Sequence, residues 1–293
     1  MPALVGLAIG ALAGVHIATW GMYKDAPHEG FTVDRYGRSI VAGGMIGSIV
    51  APLALASVVD AGGLLMLFAL TYAGERAITE FWKSFLREED QSKYFIPMQL
   101  HINGRLVRNR AVRAACGAVA VAIAATLLIA ASAFLQATDL PRLAVVALVG
   151  SLGGWYSAVG GACKDAPLEG FALLKFFRSP VIASIYAVLL APFEADPILI
   201  AMAALGFTIA TLETYKTFVF PTKPRGKFAG KPVRFPEMLI RRRRFVPVYA
   251  TIWAAIIATF LAGYGSSDRS AAGAMRERGT SGEVRYERAG PGR

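Results

Sequence analysis

Cysteine and histidine are scarce in this chain, which has two cysteines and three histidines among 293 residues. Cys116 and Cys163 offer neither a disulfide framework nor a zinc-type spacing. The sequence also lacks a P-loop, a dinucleotide fingerprint and a Ser-His-Asp set. The sequence therefore gives no support for a structural zinc site, for a nucleotide-driven enzyme or for a serine hydrolase.

Charge is scarce as well. Charged residues make up 17% of the chain, apolar residues 55%, and the mean hydropathy is +0.48. Several stretches reach the roughly 20 apolar residues that a membrane-spanning helix needs, and they lack the alternation of a β-barrel strand. We therefore predict an all-α integral membrane protein with about eight transmembrane helices. The predicted spans are Pro2–Gly21, Ile40–Val59, Gly62–Trp82, Val112–Leu135, Leu143–Cys163, Val181–Phe193, Ile198–Phe220 and Val246–Tyr264. The sixth span is the shortest, and tilted, broken and re-entrant arrangements stay open for it.

The 31 basic residues outnumber the 20 acidic ones, which gives a net charge of +11. Most basic residues fall in the loops that follow spans 1, 3, 5 and 7. By the positive-inside rule these loops face the cytoplasm, and both termini lie outside it. We predict a multi-pass protein of the cell (inner) membrane whose basic loops meet anionic lipid head groups. Nucleic acid is not a predicted partner, whereas a homo-oligomer or a larger membrane complex stays open.

The chain contains an internal repeat. Lys24–Phe31 matches Lys164–Phe171 at seven of eight positions, and two further anchors keep the same order, pairing Glu80–Phe85 with Glu213–Phe218 and Gly104–Arg108 with Gly230–Arg234. This predicts two tandem four-helix repeats, residues 1–138 and 139–265, in parallel orientation about a pseudo-two-fold axis along the membrane normal. Residues 266–293 are polar and are predicted to form a disordered tail.

The repeated KDAP element carries two carboxylates four residues apart, on one face if the segment is helical. If both copies converge, they bring together Asp25, Glu29, Asp165 and Glu169. Such oxygen ligands suit Mg²⁺ shared with a substrate phosphate, so we predict a magnesium site. The two Asp-x-x-x-Glu elements are similar in logic to the acidic motifs of UbiA-type prenyltransferases, and this resemblance implies a Mg²⁺-bound diphosphate. The alternative is a membrane-exit turn, with the proline in the first turn of a short interfacial helix that Gly30 or Gly170 ends.

Basic residues near the same motifs are candidates for binding phosphate or lipid. They are Lys24, Lys164, Arg38, Arg178, Lys83, Lys216, Arg225 and Lys227. The alternatives are topology determination, diffuse attraction to lipid, and ion pairs of Lys83 and Lys216 with Glu80 and Glu213 three residues earlier.

Five polar residues fall within or at the ends of predicted spans, where ionisable groups usually face the bundle interior or a wet cavity. They are His16, Glu75, Arg76, Glu80 and Glu213. His16 is a candidate for a hydrogen bond between helices.

Three function classes remain. The first is an enzyme acting at the cytoplasmic face on a phosphate- or diphosphate-bearing lipid, as a Mg²⁺-dependent lipid-modifying transferase. The second is a small transporter or flippase with its substrate path at the repeat interface. The third is a structural or assembly subunit of a membrane complex.

Overall fold

The structure is a computed structural model that describes residues 1–54 and 60–286, and it describes the backbone alone for Ala54, Asp165, Leu168, Glu169 and residues 267–286. The helices are α1 Pro2–Glu29, α2 Val33–Ala54, α3 Ala61–Phe81, α4 Arg110–Ala137, α5 Arg142–Glu169, α6 Leu173–Leu190, α7 Pro197–Thr214, α8 Pro236–Arg244 and α9 Val246–Tyr286. Single π-helical turns, Trp82–Leu86 and Tyr215–Val219, extend α3 and α7. A two-stranded antiparallel hairpin, β1 His101–Ile102 and β2 Arg105–Leu106, lies between α3 and α4.

Six segments of the described chain are long and apolar enough to cross a membrane. They are Pro2–Glu29, Arg110–Ala137, Arg142–Lys164, Leu173–Leu190, Pro197–Val219 and Pro236–Ser266. The protein is thus all-α apart from one short hairpin in its described part, with the composition of a multi-pass membrane protein. That α2 and α3 cross the membrane stays a prediction. The predicted end of the second span, residues 55–59, lies outside the described residues.

The sixth predicted span differs from the helix that the structure contains. Helix α6 begins at Leu173, well before the predicted start at Val181, and runs through Pro180 without interruption. Helix α9 continues beyond the predicted last span to Tyr286. The predicted disorder of residues 266–293 stays a prediction, and residues 287–293 lie outside the described part of the chain.

The KDAP element does not start a new helix, which corrects the interfacial-helix interpretation. It forms the last turns of α1, with Pro27 inside the helix and Gly30 ending it at φ +82°. Proline cannot donate a hydrogen bond to the carbonyl four residues earlier, here that of Tyr23. The Arg242 guanidinium donates to that carbonyl instead, at 3.4 Å. Glu29 therefore lies at the C-terminal end of a helix.

Glycines let neighbouring helices approach closely in both halves. A Cβ built on Gly14 would clash with the Ser39 carbonyl oxygen of α2, and one built on Gly154 would clash with the Ser179 carbonyl oxygen of α6. The two contacts are separated in sequence by the same interval as the two KDAP elements, and so are α1 from α5 and the start of α2 from that of α6. Small residues of this kind allow helix backbones to meet within a membrane.

Helices α3 and α7 pack against each other in the centre, with a buried core that includes Leu65, Phe68, Ala203 and Phe207. Their closest approach is at Gly206, where a Cβ would lie closer than 3.0 Å to the Ala69 carbonyl oxygen. The crossing of α3 and α7 therefore depends on the missing side chain of Gly206.

Gly206→Ala is expected to lower the free energy of unfolding by about 1–3 kcal/mol, because a methyl group forced into a closed contact must separate the two helices. Thermal or detergent-titrated unfolding of the purified protein measures this. Gly160→Ala on α5 is the matched control, since a Cβ there meets no atom within 4 Å. Equal stability of the two variants would contradict the close α3–α7 crossing.

Candidate functional site

The ends of α1, α3, α5 and α7 meet at one end of the bundle through two ion pairs. Lys24 of α1 lies 2.8 Å from Glu213 of α7, and Lys164 of α5 lies 3.3 Å from Glu80 of α3. Each lysine of a KDAP element thus pairs with a glutamate from the other half of the chain. Both elements lie at the same end of the bundle.

Further cations surround both glutamates. Lys216 lies 2.7 Å from Glu213, and Lys83 lies 3.7 Å from Glu80, which also pairs with Arg76. Glu213 is the more enclosed carboxylate, with 12% of its side chain exposed against 42% for Glu80. The Lys83 and Lys216 pairs match the three-residue spacing in the sequence.

Arg76 also links Glu80 to Glu75. Arg76 Nη1 lies 3.8 Å from Glu75 Oε2, and the Thr79 hydroxyl donates to Oε1 of the fully buried Glu75 at 3.0 Å. The described charges of Glu75, Arg76, Glu80 and Lys83 therefore form one connected network inside the bundle.

A polar aromatic cluster lies deeper along the bundle axis. Trp20 donates its indole N–H to the Tyr72 hydroxyl at 2.6 Å, and that hydroxyl lies 3.1 Å from His16 Nδ1. Tyr249 donates to the His16 carbonyl at 2.5 Å. His16 is 1% exposed and forms a hydrogen bond between α1 and α3 within a buried core.

A strongly cationic cavity of about 500 Å³ opens between the start of α6, the π-helical turn after α7 and the loop that follows it. Three predicted phosphate-binding residues, Arg178, Lys216 and Arg225, line it. Lys175 and Lys223 add two more cations, and none of the described lining residues is acidic. We call this space the basic cavity.

Arg225 is held in place by aromatic rings. Its guanidinium carbon is 3.5 Å from the Phe220 ring centre, and its Nη1 donates to the Tyr215 hydroxyl at 3.3 Å. The Nε atoms of Arg225 and Arg178 are buried without a partner among the described residues. Unmet donors on two arginines favour an additional acceptor in the cavity.

Exposed apolar side chains lie beside the basic cavity. Leu174, one of its lining residues, is 89% exposed, and Leu173 and Phe177 on the same helix are 63% and 44% exposed. An anionic head group in the cavity would therefore have an apolar surface next to it for acyl chains.

In the first half, side chains of the protein itself occupy the region that corresponds to the basic cavity. Arg87, 7% exposed, lies 5.5 Å from the Trp82 ring centre and 3.1 Å from the Glu89 carboxylate. Tyr94 donates to Glu89 at 2.6 Å, and Lys93 also pairs with it. Although burial acts to raise the pKa of Glu89, the hydrogen bonds from Lys93 and Tyr94 bring that pKa below its ordinary value. Glu89 is thus held as a carboxylate.

A second cavity, of about 640 Å³, lies along the same loop and contains both signs of charge. Its carboxylates are engaged, since Glu88 pairs with Arg113 at 2.5 Å and Asp90 accepts from the backbone N–H of Ser92. This cavity is therefore a poorer candidate for binding an ion than the basic cavity.

The predicted magnesium ligands are described only in part. Asp25 lies 3.9 Å from Lys227, while Glu29 lies 3.5 Å from Arg35 and accepts from the Phe95 backbone N–H at 3.2 Å. No group of three metal-ligating residues occurs among the described side chains, which do not include those of Asp165 and Glu169. The magnesium site stays a prediction.

Arg38, the remaining candidate for phosphate binding, lies with its guanidinium carbon 5.5 Å from the Trp82 ring centre. The eight candidates thus separate into distinct environments. Arg178, Lys216 and Arg225 line the basic cavity, and Lys216 also pairs with Glu213. Lys24, Lys83 and Lys164 pair with the central glutamates, and Lys227 pairs with Asp25.

Sequence reasoning missed Lys175 and Lys223 in the cavity and the buried Arg242. A proline within a helix frees a carbonyl that needs another donor, but this does not indicate which distant residue, here Arg242, supplies it. No signal singles out Lys175 and Lys223 from the other loop cations, since their position depends on how α6 meets the loop after α7.

The fold and these charged helix ends define the class as an α-helical protein with multi-pass composition and a cationic cavity at one end of its bundle. No known protein family, no curated protein and no solved structure matches the chain.

Proposed function

We propose that this protein binds a phosphate-bearing lipid through the basic cavity, at the cytoplasmic face of the cell membrane. The observation that carries the proposal is the set of five cations around one cavity whose described lining residues include no acid. Planar guanidinium groups bind phosphate through paired N–H donors, and aromatic stacking has already oriented that of Arg225. The exposed apolar start of α6 favours a lipid over a free anion.

The parallel repeat and the positive-inside charge distribution support the same placement. The glycine contacts of α1 with α2 and of α5 with α6 recur at the interval of the KDAP elements, which agrees with two related halves. Lys24 and Lys164 of the two KDAP elements both pair with glutamates at one end of the bundle, and the basic residue Lys227 lies 3.9 Å from Asp25 at that end. In this proposal both chain termini are outside the cytoplasm and the cavity opens at the inner leaflet.

Arg225→Ala and Arg178→Ala are each expected to weaken binding of phosphatidic acid about 10- to 100-fold, since a hydrogen bond to a charged group contributes about 1.5–3 kcal/mol. Binding is measured on the full chain in nanodiscs of phosphatidylcholine with and without phosphatidic acid. Competition by inorganic phosphate tests whether the cavity binds a free phosphate ion and not a lipid head group. A site for free phosphate would bind inorganic phosphate in nanodiscs of pure phosphatidylcholine as strongly as it binds phosphatidic acid.

Arg243→Ala is the control for diffuse attraction. Arg243 is exposed and belongs to the same basic stretch but does not line the cavity. Its loss should cost about 1 kcal/mol at most, which is about fivefold in affinity. Equal effects of Arg243→Ala, Arg225→Ala and Arg178→Ala would contradict a defined site.

Lipid modification is the finer form of the proposal, in which Mg²⁺ held by Asp25, Glu29, Asp165 and Glu169 contributes to group transfer. Mg²⁺ would supply charge neutralisation for a diphosphate. Chelation should then weaken binding of a diphosphate lipid more than binding of a phosphatidic acid, and Asp25→Asn should remove the difference. Chemical conversion of the lipid separates an enzyme from a binding protein.

Transport is the second candidate function. The buried network that joins Lys24, Glu213 and Lys216 favours it, because charged groups inside a membrane bundle often line a substrate path. Movement of labelled lipid across proteoliposomes without chemical conversion would select transport over modification.

A further inference from the structure

The arginine sites of the two halves, around Arg87 and around Arg225, differ in the acidic residues that the adjoining loop contains. After the first π-helical turn the chain contains three consecutive acids, Glu88, Glu89 and Asp90. After the second turn, residues 220–235 contain no aspartate or glutamate. Both loops follow a π-helical turn that begins with an aromatic residue, which is Trp82 in the first half and Tyr215 in the second.

The geometry of the two sites is comparable. The Arg87 guanidinium carbon lies 5.5 Å from the Trp82 ring centre, and that of Arg225 lies 5.5 Å from the Tyr215 ring centre. Arg87 reaches a carboxylate, Glu89, at 3.1 Å. No carboxylate of the described residues lies within the 4.0 Å ion-pair distance of Arg225.

The donors around Glu89 show what such a site binds. Glu89 accepts hydrogen bonds from Lys93 and Tyr94 and forms an ion pair with Arg87. The basic cavity contains the same three donor types in Arg225, Lys223 and Tyr215, together with further cations. An anion there would meet the partners that Glu89 meets in the first half.

We infer that the first half closes its arginine site with its own Glu89 carboxylate, and that only the second half binds an external anion, so that each chain holds one phosphate-bearing head group. This inference rests on the proposed function and deepens it by giving the stoichiometry of the site. In the first half the Glu89 carboxylate would thus take the place that the phosphate of the ligand takes in the second half.

The test is titration calorimetry of the detergent-solubilised full chain with dihexanoyl phosphatidic acid. We expect one equivalent bound per wild-type chain, at least tenfold weaker binding for Arg178→Ala, and a change below twofold for Arg38→Ala, its counterpart in the first half. Two equivalents, or equal losses for Arg38→Ala and Arg178→Ala, would overturn the inference. No binding by the wild type would instead refute the proposed function.

Two carboxylate variants test the role of Glu89. Lys223→Glu gives the second loop an internal anion, so binding should fall at least tenfold, with a smaller loss for Lys223→Ala. Glu89→Ala frees the first site, so the stoichiometry should rise to two, and the shape-conserving Glu89→Gln should show the same rise if the alanine variant does not fold. A stoichiometry of one in every folded Glu89 variant would overturn the assignment of Glu89 as the internal anion.

Discussion

Glu213→Gln is expected to lower the free energy of unfolding by about 3–5 kcal/mol, the range measured when one partner of a buried ion pair is removed. The Glu213 carboxylate accepts from Lys24 at 2.8 Å and from Lys216 at 2.7 Å, and these lysine side chains are only 15% and 20% exposed. The neutral amide would leave two enclosed ammonium groups facing each other. Unfolding in a titration with a denaturing detergent measures the loss.

Glu80→Gln is the matched control, because Glu80 occupies the corresponding place in the other half but is 42% exposed. Arg76 and Lys83 are only 11% and 17% exposed, but Arg76 keeps a second carboxylate, Glu75, at 3.8 Å, and water reaches the position of the Glu80 carboxylate. The cost of Glu80→Gln should therefore be below that of Glu213→Gln. Adding Lys24→Met to Glu213→Gln should recover part of the stability by removing one unpaired cation. Equal losses for Glu80→Gln and Glu213→Gln would contradict the burial difference.

Some of the ion pairs of Glu80 and Glu213 could be predicted from the sequence, and others could not. The three-residue spacing of Glu80 with Lys83 and of Glu213 with Lys216 follows from helix periodicity, and the structure contains both pairs. The exchange between halves, Lys24 with Glu213 and Lys164 with Glu80, depends on how α1, α3, α5 and α7 assemble. Partners that lie in different halves of the chain leave no local signal of their pairing.

The helical segments were the most predictable part of the fold, because long apolar runs leave few alternatives to helix in a membrane. The helix ends were less predictable. Pro27 and Pro180 indicated helix boundaries, yet α1 and α6 continue through them. For Pro27, the freed Tyr23 carbonyl has a donor in Arg242, which is 219 residues away in sequence and therefore invisible to a local pattern.

The residues that line the basic cavity could be predicted only in part, and phosphate binding by them stays a prediction. Basic residues beside glycine predicted phosphate binding, and Arg178, Lys216 and Arg225 do share one cavity. Lys24 and Lys83, predicted for the same role, pair with carboxylates outside the cavity, and Lys216 both lines the cavity and pairs with Glu213. A count of positive charges cannot separate cations that neutralise the protein's own acids from cations that face an open space.

Tyr72→Phe is expected to be the second strongly destabilising change. The Tyr72 hydroxyl is fully buried, accepts from Trp20 Nε1 at 2.6 Å and lies 3.1 Å from His16 Nδ1. The indole can only donate, so the hydroxyl accepts from Trp20, while the direction of its hydrogen bond with His16 depends on the tautomer of the imidazole. Phenylalanine would leave both the indole N–H and the imidazole Nδ1 without this partner, and each buried group left unpaired costs about 1–3 kcal/mol.

Unfolding in detergent measures this loss, with Tyr264→Phe as the control. The Tyr264 hydroxyl makes one described hydrogen bond, to the Leu189 carbonyl at 2.7 Å, near the opposite end of the bundle. Its removal should cost about 0.5–1.5 kcal/mol, as for a typical single hydrogen bond. If Tyr72→Phe were as mild as Tyr264→Phe, the hydrogen bonds of Trp20, Tyr72 and His16 would not hold α1 against α3.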